Sequence, residues 1–358
     1  MSITRRDFIA RGLAAGGGAL LQVCACSATQ NADSSQPGKA RGQSTPSYLE
    51  LERNGTFQKR IDQAYSMMEN CELCPHRCGV NRRRGQRGLC EATDAVTVHS
   101  HNPHFGEEIP LVGRRGSGTI FFSHCNLRCV FCQNWPIAHE GRGRRISDEQ
   151  LAGRMLDLQR MGCHNINVVT PTHYMPNILN ATRLAMQQGL RLPLCYNTGG
   201  YERAEVIQLL DGIVDLYLPD LKFMDGAYAK EFAFTHAADY PEQAKPAIAE
   251  MHRQVGDLRT DADGIALSGL MIRHLVMPNE VAGTREFVHW VAQNLSTSTY
   301  VNIMAQYRVE HQAFDHPLIS RAITPAEFVQ AMDWAREAGL TNLDQRSASQ
   351  ANVFRRRM

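Results

Sequence analysis

Apolar residues in this chain gather into six short runs, at 119–123, 165–170, 192–197, 214–218, 271–276 and 300–306. Each run is brief and nearly uniformly hydrophobic, the pattern of a strand buried on both faces of a parallel sheet. Between the runs the apolar period lengthens to that of a helix. Ser147-Asp-Glu-Gln150 reads as a capping box, followed by Leu151, Met155 and Leu158 on one face. Thr324-Pro-Ala-Glu327 reads as a second, with Pro325 in the first turn and Phe328, Ala331, Met332 and Ala335 on one face. Strands alternating with helices over six units predict an α/β fold. The longest interruption, 225–269, predicts one or two helices and a turn at Asp261-Ala-Asp-Gly264. Residues 343–358 are polar and predict a frayed C-terminal tail.

The N-terminal part lacks this alternation. Thr4-Arg5-Arg6-Asp7-Phe8-Ile9 is a twin-arginine signature, and the weakly apolar stretch after it is broken by Arg11 and three glycines, making a poor membrane span. Val23-Cys24-Ala25-Cys26 resembles a lipoprotein cleavage box, with Cys26 as the lipid-anchored residue; the alternative is a signal that is simply cut. Residues 1–26 therefore predict export to the periplasm or anchoring at the membrane, against a cytoplasmic protein with a vestigial signal. Residues 27–47, rich in Ser, Gln, Gly and Pro, predict a disordered tether. A Cys-rich segment (48–112) and the strand–helix body (113–342) follow.

With 43% hydrophobic residues, 358 positions can build one sizeable core. A net charge of +2 gives no global field for nucleic acid. Basic runs at Asn81-Arg-Arg-Arg84, Gly113-Arg-Arg115, Arg142-Gly-Arg-Arg145 and Arg355-Arg-Arg357 lack interleaved aromatics, so they read as solvated loops or tails and no nucleic-acid partner is expected.

Candidate chemistry begins with cysteine. Cys125, Cys129 and Cys132 follow the first apolar run with the spacing C-x3-C-x2-C, and Phe131 precedes the last of them. Three thiolates in one loop can hold three corners of a four-iron cluster and leave the fourth iron open. Structural zinc would call for a fourth ligand nearby, and a closed iron cluster for a fourth cysteine. A second group, Cys71, Cys74, Cys78 and Cys90, has the spacing C-x2-C-x3-C-x11-C and suits a structural zinc or an auxiliary iron–sulfur cluster, with His76 as a substitute ligand. Cys163 and Cys195 sit in apolar surroundings and read as packing residues.

The ends of the later runs carry polar residues where an α/β fold places its chemistry. Thr170, Thr172 and His173 end the second; Asn197 and Thr198 the third, before Gly199-Gly200; Asp220 and Lys222 the fourth; Arg273 and His274 mark the fifth, Gln306 and Tyr307 the sixth. Lys222 is a fixed cation suited to a carboxylate, with Asp220 beside it.

At Cys125-Asn-Leu-Arg-Cys-Val-Phe-Cys132 the chain resembles the radical S-adenosylmethionine (SAM) superfamily, whose signature is C-x3-C-x-aromatic-C. The Asp220-Leu-Lys222 stretch and the order of motifs are similar to the pyruvate formate-lyase activating enzyme branch. Within it, Cys71-Glu-Leu-Cys-Pro-His-Arg-Cys, Thr170-Pro-Thr-His173, Tyr196-Asn-Thr-Gly-Gly200 and Arg273-His-Leu-Val-Met-Pro278 resemble an orphan subgroup. The resemblance covers about 49–342. It implies a partial (β/α)6 barrel, a 4Fe-4S cluster on Cys125, Cys129 and Cys132, and reductive cleavage of SAM to a 5′-deoxyadenosyl radical that abstracts a hydrogen atom from substrate. It also implies an external electron donor, a substrate that is a protein glycine or a small molecule, and SAM contacts from Phe131, Thr170, Asn197, Asp220 and Lys222. Many members carry Gly-Gly-Glu where this chain has the Thr-Pro-Thr-His run. The competing reading is an exported, non-catalytic iron–sulfur electron-transfer lipoprotein.

Overall fold

All six apolar runs become parallel strands of one sheet. In this computed structural model, which describes residues 45–234 and 236–356, the strands are β1 (Val96–His104), β2 (Ser117–Phe122), β3 (Arg144–Ile146), β4 (Ile166–Val169), β5 (Leu194–Thr198), β6 (Leu216–Pro219), β7 (Arg259–Thr260), β8 (Ala266–Leu275) and β9 (Tyr300–Met304). The order is β3-β1-β2-β4-β5-β6-β8-β7, with β9 on the other side of β8. Strands β2, β4, β5, β6, β8 and β9 run parallel, and β1, β3 and β7 pair antiparallel with their neighbours. The result is a mixed α/β fold with an open sheet, a partial barrel. The twin-arginine run, Cys26 and most of the tether lie outside the described residues.

Both capping boxes form. Ser147 accepts from the Gln150 N–H and Thr324 from the Glu327 N–H, and in each the third residue reaches back to the cap, starting the helices Asp148–Arg160 and Pro325–Glu337. The interruption holds two helices, Gly226–Phe232 and Tyr240–Val255. Its turn is closed by Asp261, whose Oδ1 accepts from the Asp263 and Ile265 N–H groups. The helices cover the outer faces of the sheet, while Leu111, Cys195, Leu216, Leu218, Ala266, Met271 and Tyr300 form a separate apolar cluster. Cys163 and Cys195 are buried, as their surroundings predict.

Three expectations are corrected. Of the predicted frayed tail 343–358, the described part is ordered: Gln345–Arg355 is a helix, because Asp344 caps it through the Arg346 and Ser347 N–H groups and accepts from the Tyr300 hydroxyl. The tether is fixed at its end, where the Ser47 N–H and hydroxyl both donate to buried Asp215, a carboxylate that burial alone would leave short of partners. The run Asn81-Arg-Arg-Arg84 is a short 3-10 turn, and its Arg82 is fully buried instead of solvated.

The Cys-rich segment lends β1 to the sheet and packs its helix Phe57–Ser66 on the helix Met175–Gln187. On the open side of the barrel, Asn302 of β9 donates to Glu108 at 2.8 Å, and Arg346 of the C-terminal helix donates to the Glu107 carbonyl. Between these elements lies a cavity of about 330 Å³.

Candidate functional site

The loop after β2 carries Cys125, Cys129 and Cys132 at the carboxyl ends of the parallel strands, where this architecture gathers function. It is pinned by backbone bonds on several sides. The Val130 N–H donates to the Phe232 carbonyl, the Gln312 N–H to the Val130 carbonyl, and the Cys132 N–H to the Cys129 carbonyl. His124 and Arg128 adopt left-handed backbone, φ 73° and 45°, to turn the chain between the thiols. Leu127 seats on Gly199: a Cβ there would stand 2.9 Å from its Cδ1. Gly200, at φ 83°, would place a Cβ 2.1 Å from the Asp220 carbonyl oxygen. The double glycine therefore lets both the cysteine loop and the end of β6 approach the turn after β5.

All three thiols are free; Cys129 is buried and the other two are half-buried. Burial pushes the Cys132 thiol up to about 11 and Cys129 higher still, so neither ionises by itself at neutral pH. A metal that binds thiolate would supply the missing driving force. Facing them is a buried charge network. Lys222 Nζ lies 2.5 Å from Asp220, whose other oxygen accepts from Arg273 Nε at 2.7 Å. Arg273 also donates to Asn197 at 2.6 Å and reaches Glu107 at 3.5 Å, and His104 Nδ1 stands 3.2 Å from Glu107. Although burial opposes its charge, Asp220 is held below the usual carboxylate range by Arg273 and Lys222. Burial likewise opposes the Lys222 ammonium, and Asp220 more than offsets it.

The remaining candidates fall into two groups. Phe131 is buried edge-on against Phe223, and Tyr307 packs on its other side while donating to the Ile319 carbonyl. Thr170 ends β4 at φ 60°, a strained value for a β-branched residue, with its N–H on the Asn197 carbonyl. Asn197 accepts from Arg273 through Oδ1 and donates to Glu107 through Nδ2. Thr172 and Thr198 donate to Glu202. His173 is fully buried with Nε2 2.8 Å from the Ser123 carbonyl, and burial drives it down to about 3. His274 is held between the Leu221 carbonyl and the Thr284 hydroxyl. The histidines thus support the loop and strand ends from behind. Gln306 stands near the loop, its carbonyl accepting from Gln133.

Sequence reasoning missed Glu107, Glu202 and Tyr240. The Tyr240 hydroxyl accepts from the Lys222 N–H at 2.9 Å and reaches the Gly199 and Asp220 carbonyls, tying the glycine turn to the lysine. Thr198 lies four positions from Glu202 and His104 three from Glu107, but the partners that tie these residues into the site, Thr172, Arg273 and Lys222, lie far along the chain.

Residues 119–254 match the family model described as the radical SAM superfamily. An uncharacterized protein of Methanocaldococcus jannaschii is 30% identical over 301 residues, covering 82% of this chain and 82% of its own length. The chain belongs to the radical SAM superfamily. Among solved structures, HydG, a maturase of the FeFe-hydrogenase, aligns with a TM-score of 0.41 at 14% identity, covering 61% of this chain and 48% of that one. Methylornithine synthase (PylB) aligns with a TM-score of 0.38 at 13% identity, covering 61% of this chain and 67% of its own.

Radical SAM membership implies a 4Fe-4S cluster and SAM. The donor set fits: three free cysteines in one pinned loop, with a buried lysine close enough to the Cys129 and Cys132 thiols to favour their charged form. Among the described residues, no three His, Cys, Asp or Glu side chains converge as a cage for a single ion.

Proposed function

We propose that the protein uses its three-cysteine loop to cleave SAM reductively and to abstract a hydrogen atom from a glycine of a partner protein. The observation that carries the reading is the juxtaposition of that loop with the Lys222–Asp220–Arg273 network at the strand ends. When bound, the cluster and SAM supply a carbon radical at the barrel mouth. Cys125, Cys129 and Cys132 hold the iron. Lys222 keeps its charge in a buried setting because Asp220 more than offsets the cost of burial, and its remaining donors suit the SAM carboxylate. Arg273 fixes Asp220, and Tyr240 fixes the backbone under Lys222.

A protein substrate is favoured by the segment beside the loop. Gln312 bonds to Val130, and the same segment exposes Phe314 at 67% and Leu318 at 41%, apolar area suited to a macromolecular partner. Anaerobically reconstituted protein given reductant and SAM is expected to release 5′-deoxyadenosine, and Cys129→Ala to release none. Absence of release from fully iron-loaded protein would refute the proposal.

A further inference from the structure

We propose that Cys71, Cys74, Cys78 and Cys90 bind a second iron–sulfur cluster, through which electrons reach the Cys125–Cys132 loop. The site itself stands apart from the function proposed above; its electron-entry role rests on that reading.

The segment is folded around its thiols. The Cys71 N–H donates to the Val80 carbonyl at 2.9 Å, the Gly79 N–H returns to the Cys71 carbonyl at 3.0 Å, and the Arg77 N–H to the Cys74 carbonyl at 3.1 Å. Gly88 lets the returning chain approach the sulfur, since a Cβ there would sit 2.4 Å from Cys78 Sγ. The Val80 and Leu89 N–H groups lie close to that sulfur. All four cysteines are free, and Cys71, Cys74 and Cys90 are buried. Backbone donors on sulfur are a recurrent means of setting iron–sulfur potentials.

Arg82 supplies an independent sign of what these thiols hold. It is fully buried, and its Nε and Nη1 have no hydrogen-bond partner; Nη2 reaches the Thr93 carbonyl. Among the described residues, no carboxylate pairs with it. A buried guanidinium requires a counter-charge. The thiols of Cys71 and Cys90 lie close enough to feel its charge. Four thiolates around an iron–sulfur core would carry a net negative charge beside the unpartnered Arg82.

Position separates a redox role from a purely structural one. His76, between Cys74 and Cys78, has Nε2 2.7 Å from the carbonyl of Asn126, between Cys125 and Cys129. Its ring packs edge-on against Tyr201, whose carbonyl accepts from the Asn126 side chain. One hydrogen bond therefore joins the two cysteine loops. Cys78 is only half-buried, and Arg77, Arg83, Arg84 and Arg87, all within nine positions of it in the chain, are exposed. That face suits an acidic one-electron carrier. One electron leaves the reduced carrier, reduces the outer cluster by one, and passes to the inner loop, restoring the outer cluster to its oxidised state.

The test uses the full chain with Cys125, Cys129 and Cys132 all replaced by Ala, reconstituted anaerobically. It is expected to retain about four iron and about four sulfide per chain, with an electron paramagnetic resonance signal on dithionite reduction that SAM does not alter. Zinc in place of iron, or no metal in a folded chain, overturns the site. A SAM-sensitive signal from unaltered protein reports on the inner loop alone, so the two proposals fail separately. For electron entry, Cys90→Ser is expected to slow reduction of the inner loop by reduced flavodoxin at least roughly tenfold while dithionite still reduces it. If that variant does not fold, Arg77→Glu combined with Arg84→Glu should slow the flavodoxin step at low salt and leave the dithionite step unchanged. Unchanged flavodoxin rates overturn the entry role.

Discussion

Glu202 is a carboxyl with no exposed surface, held by the hydroxyls of Thr172 at 2.6 Å and Thr198 at 2.5 Å on one oxygen and by nothing on the other. Burial raises it from 4.5 to about 7 against the two hydroxyl bonds. Below pH 4.5 it is protonated in both folded and unfolded chains. Between 4.5 and about 7 the folded chain keeps a proton that the unfolded chain has released, so stability falls as pH rises, by about 3 kcal/mol in all. Glu202→Gln keeps the acceptor and removes the titration. Denaturant unfolding at pH 5 and pH 8 should show the wild type losing more stability than the variant, and equal losses would contradict this account. The residue scale is also where the sequence was least informative. Cys125, Cys129 and Cys132 are legible because one loop carries all three. Glu107 is not: it meets Arg273 across 166 positions, and no local pattern announces such a pair.

Elements were more readable than their edges. The parallel strands show because burial on both faces demands continuous apolar runs. Strand β1 escaped notice because its Val96-Thr-Val-His-Ser-His-Asn-Pro-His104 run is half polar, as an antiparallel flank with one wetter face allows. The C-terminal helix escaped because its inward surface is small: Ser347 and Ala351 are buried, Ala348 and Phe354 pack partly buried against the core, and most of the other residues are polar. Its contribution comes from position, through Asp344 on Tyr300 and Arg346 on the Glu107 carbonyl. Removing 344–358 should lower unfolding stability by about 3 kcal/mol or more, since it uncovers apolar side chains such as Phe328 and strips the buried Tyr300 hydroxyl of its acceptor. Denaturant titration of the shortened chain measures this, and a change under about 1 kcal/mol would show the helix to be incidental.

For the molecule as a whole, the sequence raises a question of compartment. The Arg5-Arg6 run predicts export, and the twin-arginine route carries proteins that have already folded. If the chain is exported by that route, its cysteine loops would have to take up iron before crossing, since free thiols are open to oxidation in the periplasm. Replacing Arg5 and Arg6 with Lys together should shift the protein from the periplasmic or membrane fraction to the cytoplasm, as cell fractionation would show. An unchanged distribution would mean that the run directs nothing.

The helix that bridges the open flank of the barrel has a consequence in time. Helix Gln345–Arg355 follows every strand in chain order, and a ribosome releases the chain from its N-terminus onward. Until that helix emerges, the flank between β9 and the 106–108 loop lacks its cover, although both cysteine loops already exist. Synthesis therefore leaves that flank uncovered for an interval after both cysteine loops have emerged, and the arrival of the helix closes it.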